Sequence, residues 1–141
     1  MKNRLIGLYE LITGIFGVLV LLVEIKQALN SVNQFFSFIL GIILFAGTAY
    51  AGYALINNLR NGYKYSVISQ SLQSIGITYS FYRYLFTGSA FLSVVINDSV
   101  GILYKIQPIA YKIYKLQEPA SIEVRIFIIP LILLVLLSIR K

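Results

Sequence analysis

The sequence predicts an all-α fold: an integral membrane bundle of four transmembrane helices, with an interfacial amphipathic helix between helices 3 and 4. Three observations carry that expectation. Of 141 residues, 58% are hydrophobic and 12% charged, with a mean hydropathy of +0.81, more apolar and less charged than a soluble domain. Long runs without charge then follow one another along the chain, and the polar residues inside them recur at helical spacing.

The first run, Leu5 to Val23, covers about 28 Å as a helix, close to the thickness of the hydrocarbon core. It follows the basic opening MKNR, which resembles a signal peptide. The run is long for a signal's apolar region, contains Glu10 and lacks a small-x-small cleavage site near Lys26 to Val32; it reads as a retained span, TM1 over 5–23. A polar turn with Glu24, Lys26, Asn30, Asn33 and Gln34 follows. Phe35 to Ile56 has no charge at all and supplies TM2 over 35–56.

The loop NNLRNGYK offers a helix stop and two cations, Arg60 and Lys64. TM3 is placed at about 65–87, although the window Ser74 to Ile96 is more apolar and would put Arg83 at its centre. Between Ile102 and Gln117, the residues Ile102, Ile106, Ile109, Ile113 and Leu116 form one helical stripe, from which Lys105, Lys112 and Lys115 point away. That pattern belongs on a membrane surface, with Pro108 starting or kinking the helix. Ile126 to Ile139 reaches only about 21 Å, so TM4 must begin near Ala120 to cross, over about 120–139, and Pro130 should bend it. The chain reads as a single transmembrane domain over 1–141.

With four spans, Lys2 and Arg4, the Arg60/Lys64 loop, and Arg140 and Lys141 share one side, which the positive-inside rule makes the cytoplasm. The expected location is the cell (inner) membrane, multi-pass, with both termini cytoplasmic. Twelve basic residues against five acidic give a net charge of +7, which suits this topology and anionic lipid.

The absence of Cys and His excludes disulfides, thiolate and imidazole metal sites, His-ligated haem and catalytic devices built on either residue. No paired acids, phosphate loop or activated nucleophile stands out, so no catalytic residue, metal or cofactor is assigned. The Tyr-Lys segment could bind headgroups or a partner, or act as an interfacial anchor through Lys105, Lys112 and Lys115. It lacks an RNA-binding fingerprint, and nucleic acid is not expected.

The candidate site is a polar seam between two helices. Around TM1, Glu10, Gly14, Gly17, Leu21 and Glu24 fall within about 40° of one line, opposite Leu8, Ile12, Ile15, Leu19 and Leu22. In TM3, Ser69, Gln73, Gly76, Ser80, Arg83 and Thr87 recur at the same spacing. Running antiparallel, Glu10 comes level with Ser69, Gln70 and Gln73, and Glu24 with Arg83. Glu10 is then neutral, or hydrogen-bonded to the Gln/Ser end, while Glu24 and Arg83 close the outer end. The seam of Glu10, Glu24, Ser69, Gln73, Ser80 and Arg83 is either interhelical glue or a route for a proton, ion or solute. Gly14, Gly17, Gly47 and Gly52 are assigned to helix packing, with Gly47/Ala51 and Thr48/Gly52 as small-residue pairs inside the molecule or in a dimer.

The expected function is that of a non-enzymatic accessory, interaction or assembly subunit, in contact with the bilayer and with other membrane proteins or a second copy of itself. The alternative is a small oligomeric transporter or channel-like protein using the seam. A lipid-modifying enzyme ranks last.

Overall fold

The structure is a computed structural model that describes residues 2–28, 31–88, 91–96, 100–105 and 110–139. Its elements are α1 (Lys2–Val23), α2 (Ile25–Ala28), α3 (Val32–Ile56), α4 (Gly62–Ser74), β1 (Ile75–Thr87), β2 (Phe91–Ile96), β3 (Val100–Lys105), β4 (Ala110–Phe127) and α5 (Ile128–Ser138). The two helices over Asn3–Val23 and Val32–Ile56 are long and apolar enough, by length and composition, to cross a membrane.

These two helices form an antiparallel hairpin. Ser31 starts α3 by accepting a hydrogen bond from the Gln34 amide at 3.2 Å, satisfying a donor that the first turn leaves open. The hairpin is held by backbone approach. A Cβ on Gly14 would lie 2.4 Å from the Ala49 nitrogen, and one on Gly52 2.4 Å from the Gly7 carbonyl. Gly17 lies under the Phe45 ring. Leu8, Ile12, Ile15, Leu19 and Leu22 of α1 and Phe36, Ile39, Leu40 and Ile43 of α3 remain exposed.

After α3 the chain turns through Asn58, whose φ is 52°, and Gly62 seats the start of α4 against the Ala54 carbonyl. α4 runs back along the hairpin with its polarity inverted. Ser66, Ser69, Gln70, Gln73 and Ser74 are buried, whereas Tyr65, Ile68 and Leu72 are exposed.

Beyond Ser74 the fold departs from the all-α expectation. The described elements include a four-stranded sheet in the order β1-β4-β2-β3, with antiparallel pairing throughout. The TM3 window of 65–87 is thus helical only to Ser74, after which the strand IGITYSFYRYLFT begins at Ile75. That segment is β-branched and aromatic, and its exposure alternates: Ile75, Ile77 and Tyr79 out, Gly76 and Thr78 in. Such side chains favour a pleated strand over a helix. The interfacial helix expected at 102–117 is replaced by strand: Lys105 ends β3, and Lys112 and Lys115 lie in β4. Residues 106–109, with Pro108, lie outside the described residues. The TM4 window of 120–139 is strand through Phe127, and α5, at about 16 Å, covers roughly half a bilayer core. The four-helix membrane bundle is therefore overturned.

β1 and β4 form a ribbon that folds back on itself. Leu85 Cδ1 would lie 2.9 Å from a Cβ on Gly76, although nine residues of straight strand span about 30 Å. The bend is at Ser80, whose φ is 48°. There Tyr82 and Ser80 oppose Lys115 and Ala120, so the longer outer path of β4, with Pro119, is taken up in a bulge. The ribbon packs on the hairpin through Leu21, Phe45 and Phe86, with the Phe45 and Phe86 rings edge to face at 4.9 Å. Ile6, Leu55 and Leu137 join α5 to the opposite end.

Candidate functional site

The helical hairpin and α4 enclose two small polar clusters. In the first, Glu10 of α1 accepts hydrogen bonds at Oε1 from Ser66 Oγ at 2.7 Å and Gln70 Nε2 at 2.8 Å. All three side chains are fully buried. The spacing of Ser66 and Gln70, one helical turn apart, lets a single carboxylate oxygen meet both. On the other side of Glu10, Gly52 brings the α3 backbone against its Cβ.

One turn farther along α4, Ser69 Oγ donates to Thr48 Oγ1 at 3.0 Å. Gln73 Nε2 donates to Ser69 Oγ at 3.1 Å and approaches Thr48 Oγ1 at 3.3 Å. Gln73 Oε1 accepts from the Gly88 amide at 2.9 Å. A side chain on α4 thereby fixes the end of β1 beside Thr13 of α1, which lines the space that a Cβ on Gly88 would enter. Thr48 in turn donates to the Leu44 carbonyl at 3.0 Å. In this second cluster the hydroxyls and the amide satisfy one another away from water, which makes it a rigid fastener.

The structure divides the predicted seam. Glu10, Ser69 and Gln73 lie on the buried interface, Glu10 bonding to Gln70 and Ser66 rather than to Ser69 or Gln73. Glu24 is exposed at the end of α1, and Arg83 donates from Nε to Thr78 Oγ1 at 3.3 Å. Among the described residues, Glu24 and Arg83 form no ion pair; the salt bridge found joins Arg125 to Glu123 along β4. The outer closure fails because the helix carrying the seam stops at Ser74. Ser80 is instead the hinge of the ribbon. Gly14, Gly17 and Gly52 sit at close approaches, whereas nothing lies within 4 Å of a Cβ placed on Gly47. Lys112 is exposed.

Ser66 and Thr48 are additional members, and Gln70, which the sequence placed level with Glu10, bonds to it. Ser66 and Gln70 were legible as a turn of α4 continuing the Ser69/Gln73 spacing; Thr48 carries little signal beyond being a hydroxyl on a glycine-rich helix. Beside this interface runs an apolar groove of about 210 Å³ between α3 and α4, lined by Ile43, Gly47, Tyr50, Tyr65, Leu72 and Phe86 and edged by Thr48 and Ser69. No group of three or more carboxylate, His or Cys ligands that could hold a metal occurs among the described residues.

Tyr84 of β1 and Tyr111 of β4 tie the ribbon to the helices. Tyr84 Oη donates to the Leu72 carbonyl at 2.9 Å, and Tyr111 Oη donates to the Ser37 carbonyl. Burial, with a smaller contribution from the neighbouring Tyr111, pushes the Tyr84 hydroxyl up to about 12. An unfolded tyrosine ionises near 10, so the folded chain retains this proton through pH 10–12 while the unfolded chain loses it. The associated stability is complete below pH 10 and declines as pH rises through that window. Thermal melts should therefore fall between pH 10 and 12, and the fall should be shallower in Tyr84→Phe; parallel curves for the two proteins would contradict the assignment.

Comparison with protein-family models, curated proteins and solved structures found no match.

Proposed function

We propose that the protein is a non-enzymatic membrane interaction protein, an accessory or assembly subunit held in the cell membrane by the α1–α3 hairpin. The observation that carries this reading is the distribution of polarity. Leucine and isoleucine occupy the outer faces of both long helices, while the carboxylate, amides and hydroxyls are turned inward and bonded to one another. A water-soluble chain would gain by the reverse arrangement; an apolar solvent favours this one. Under the positive-inside rule, Arg60 and Lys64 lie on the cytoplasmic side and the turn after α1 on the other.

Interaction is favoured over transport by where the surfaces point. β1 is an edge strand in the sheet order, and beside that edge Ile75, Ile77, Tyr79 and Tyr82 are exposed. An apolar edge strand is a template for another protein, and hydrocarbon does not satisfy its backbone groups. The polar clusters, by contrast, bond across the helix interface, leaving over Glu10 Oε2 and Gln70 Oε1, and Arg83 stands apart from them, bonded to Thr78.

The reading is tested on the intact chain in membranes. It should resist alkaline carbonate extraction, and single cysteines should react with a water-soluble maleimide at Lys26 and Arg60 but not at Leu19 or Ile43. Purified protein in liposomes should leave proton and ion permeability unchanged. Release by carbonate would remove the membrane assignment, and permeability abolished by Glu10→Gln would establish the transport alternative.

A further inference from the structure

The Glu10–Gln70 contact leaves two oxygens over. Glu10 Oε1 receives both hydrogen bonds, while Glu10 Oε2 and Gln70 Oε1 are buried without a partner. With the carboxyl ionised, both leftover atoms are acceptors and neither can satisfy the other. A proton on Oε2 turns one into a donor. The carboxylic acid and the carboxamide then have complementary edges: N–H to Oε1 on one side, already at 2.8 Å, and Oε2–H to the amide oxygen on the other.

The surroundings supply no counter-charge. Facing Glu10 are Ser66 and Gln70 from α4 and the Gly52 backbone from α3, and α5 contributes Leu137 beside Ile6, one turn away. The titratable side chains nearest in sequence are Arg4 and Tyr9 on α1, Tyr63, Lys64 and Tyr65 on α4, and Tyr53 on α3, of which Arg4, Lys64, Tyr65 and Tyr53 are exposed. Among the described residues, no cation pairs with Glu10. A bare carboxylate in this position would be both desolvated and set against a carbonyl oxygen.

We propose that Glu10 is a proton-binding site: one proton, carried on Oε2 and shared with Gln70 Oε1, is a constituent of the α1–α4 interface, and its release separates α4 from the hairpin. On release the Oε2–H bond breaks and the proton passes to water. The carboxylate left behind repels the amide oxygen, while the second cluster, Thr48, Ser69 and Gln73, is unchanged in charge. The ligand is the proton itself, so this inference goes beyond the interaction role and does not depend on any partner.

The test uses the full chain in lipid nanodiscs with isotope-labelled glutamate. Infrared spectra at neutral pH should contain a protonated-carboxyl carbonyl band that disappears in Glu10→Gln and moves toward the free-acid position in Gln70→Leu. Hydrogen-exchange protection factors of α4, corrected for intrinsic exchange, should fall about tenfold per pH unit once opening is linked to loss of one proton. Glu10→Gln, a permanent mimic of the protonated form, should show no such dependence. The proposal is overturned if wild type gives only ionised-carboxylate bands at neutral pH with α4 protected, or if both proteins share one pH dependence. Protection that follows sodium concentration at fixed pH would also overturn it. Should Glu10→Gln fail to fold, the wild-type band and its shift in Gln70→Leu decide alone.

Discussion

Gly52→Leu is expected to drive α1 and α3 apart and to cost about 3 kcal/mol, the top of the usual range for overpacking, or more. A Cβ at this position would lie 2.4 Å from the Gly7 carbonyl, 2.5 Å from the Leu11 nitrogen and 2.9 Å from the Glu10 Cβ. The first two are backbone atoms of the facing helix, which cannot rotate away as a flexible side chain would. The whole of α1 must retreat, and Glu10 with it, so the bonds to Ser66 and Gln70 lengthen. Denaturation in detergent, followed by circular dichroism, measures the loss. Gly47→Leu on the same helix is the internal standard: its Cβ would meet nothing within 4 Å, and it should melt within about 0.5 kcal/mol of the parent. Equal behaviour of the two variants would show that the hairpin is not held by backbone approach.

Phe45→Ala is expected to cost about 3–5 kcal/mol, as for other buried aromatics cut to alanine. Phe45 is fully buried, lies over Gly17, meets Phe86 at 4.9 Å and stands 6.0 Å from Tyr111. Its ring is thus shared by α1, β1 and β4. Removing it should uncouple the ribbon from the hairpin rather than unfold everything at once: hydrogen exchange should accelerate most in β1 and the amino-terminal part of β4, with α1 and α3 slower to respond. Phe45→Leu should recover part of the stability. Uniform acceleration across α1, α3 and β1 would indicate instead that ribbon and hairpin form one cooperative unit.

The two amino-terminal helices were legible because their information is local. On α1, the line of Glu10, Gly14, Gly17, Leu21 and Glu24 and the opposing line of Leu8, Ile12, Ile15, Leu19 and Leu22 follow from a period of 3.6 residues, and the structure buries the first set except Glu24 and exposes the second. On α4 the same period places Ser69 and Gln73 inward and Ile68 and Leu72 outward. Past Ser74 the helical reading of polar residues competed with a period-two alternation in ITYSFYRY. Both periods fit so short a stretch; β-branched and aromatic content is what distinguishes them. β4 held the same clue in IEVRIF, where apolar and charged residues alternate.

What a single sequence could not supply was pairing. Ile75 meets Ile126 and Thr87 meets Ala110, contacts between distant segments that no local window contains. The error in the candidate site has the same origin. Glu24 and Arg83 were matched by depth along two helices, and the match lapsed when the second helix ended nine residues before Arg83. Glu10 meets α4 because Ser66 and Gln70 lie within the part of it that is helical.

The inverted polarity of α4 also dictates an order of events during biosynthesis. In the proposed membrane setting, its serines and glutamines have nothing to bond with until Glu10 and Thr48 stand side by side, and those two residues come from different helices. On that reading α1 and α3 come together before α4 can settle, and a ribosome that has delivered only the first helix has not yet made a surface on which the rest can assemble.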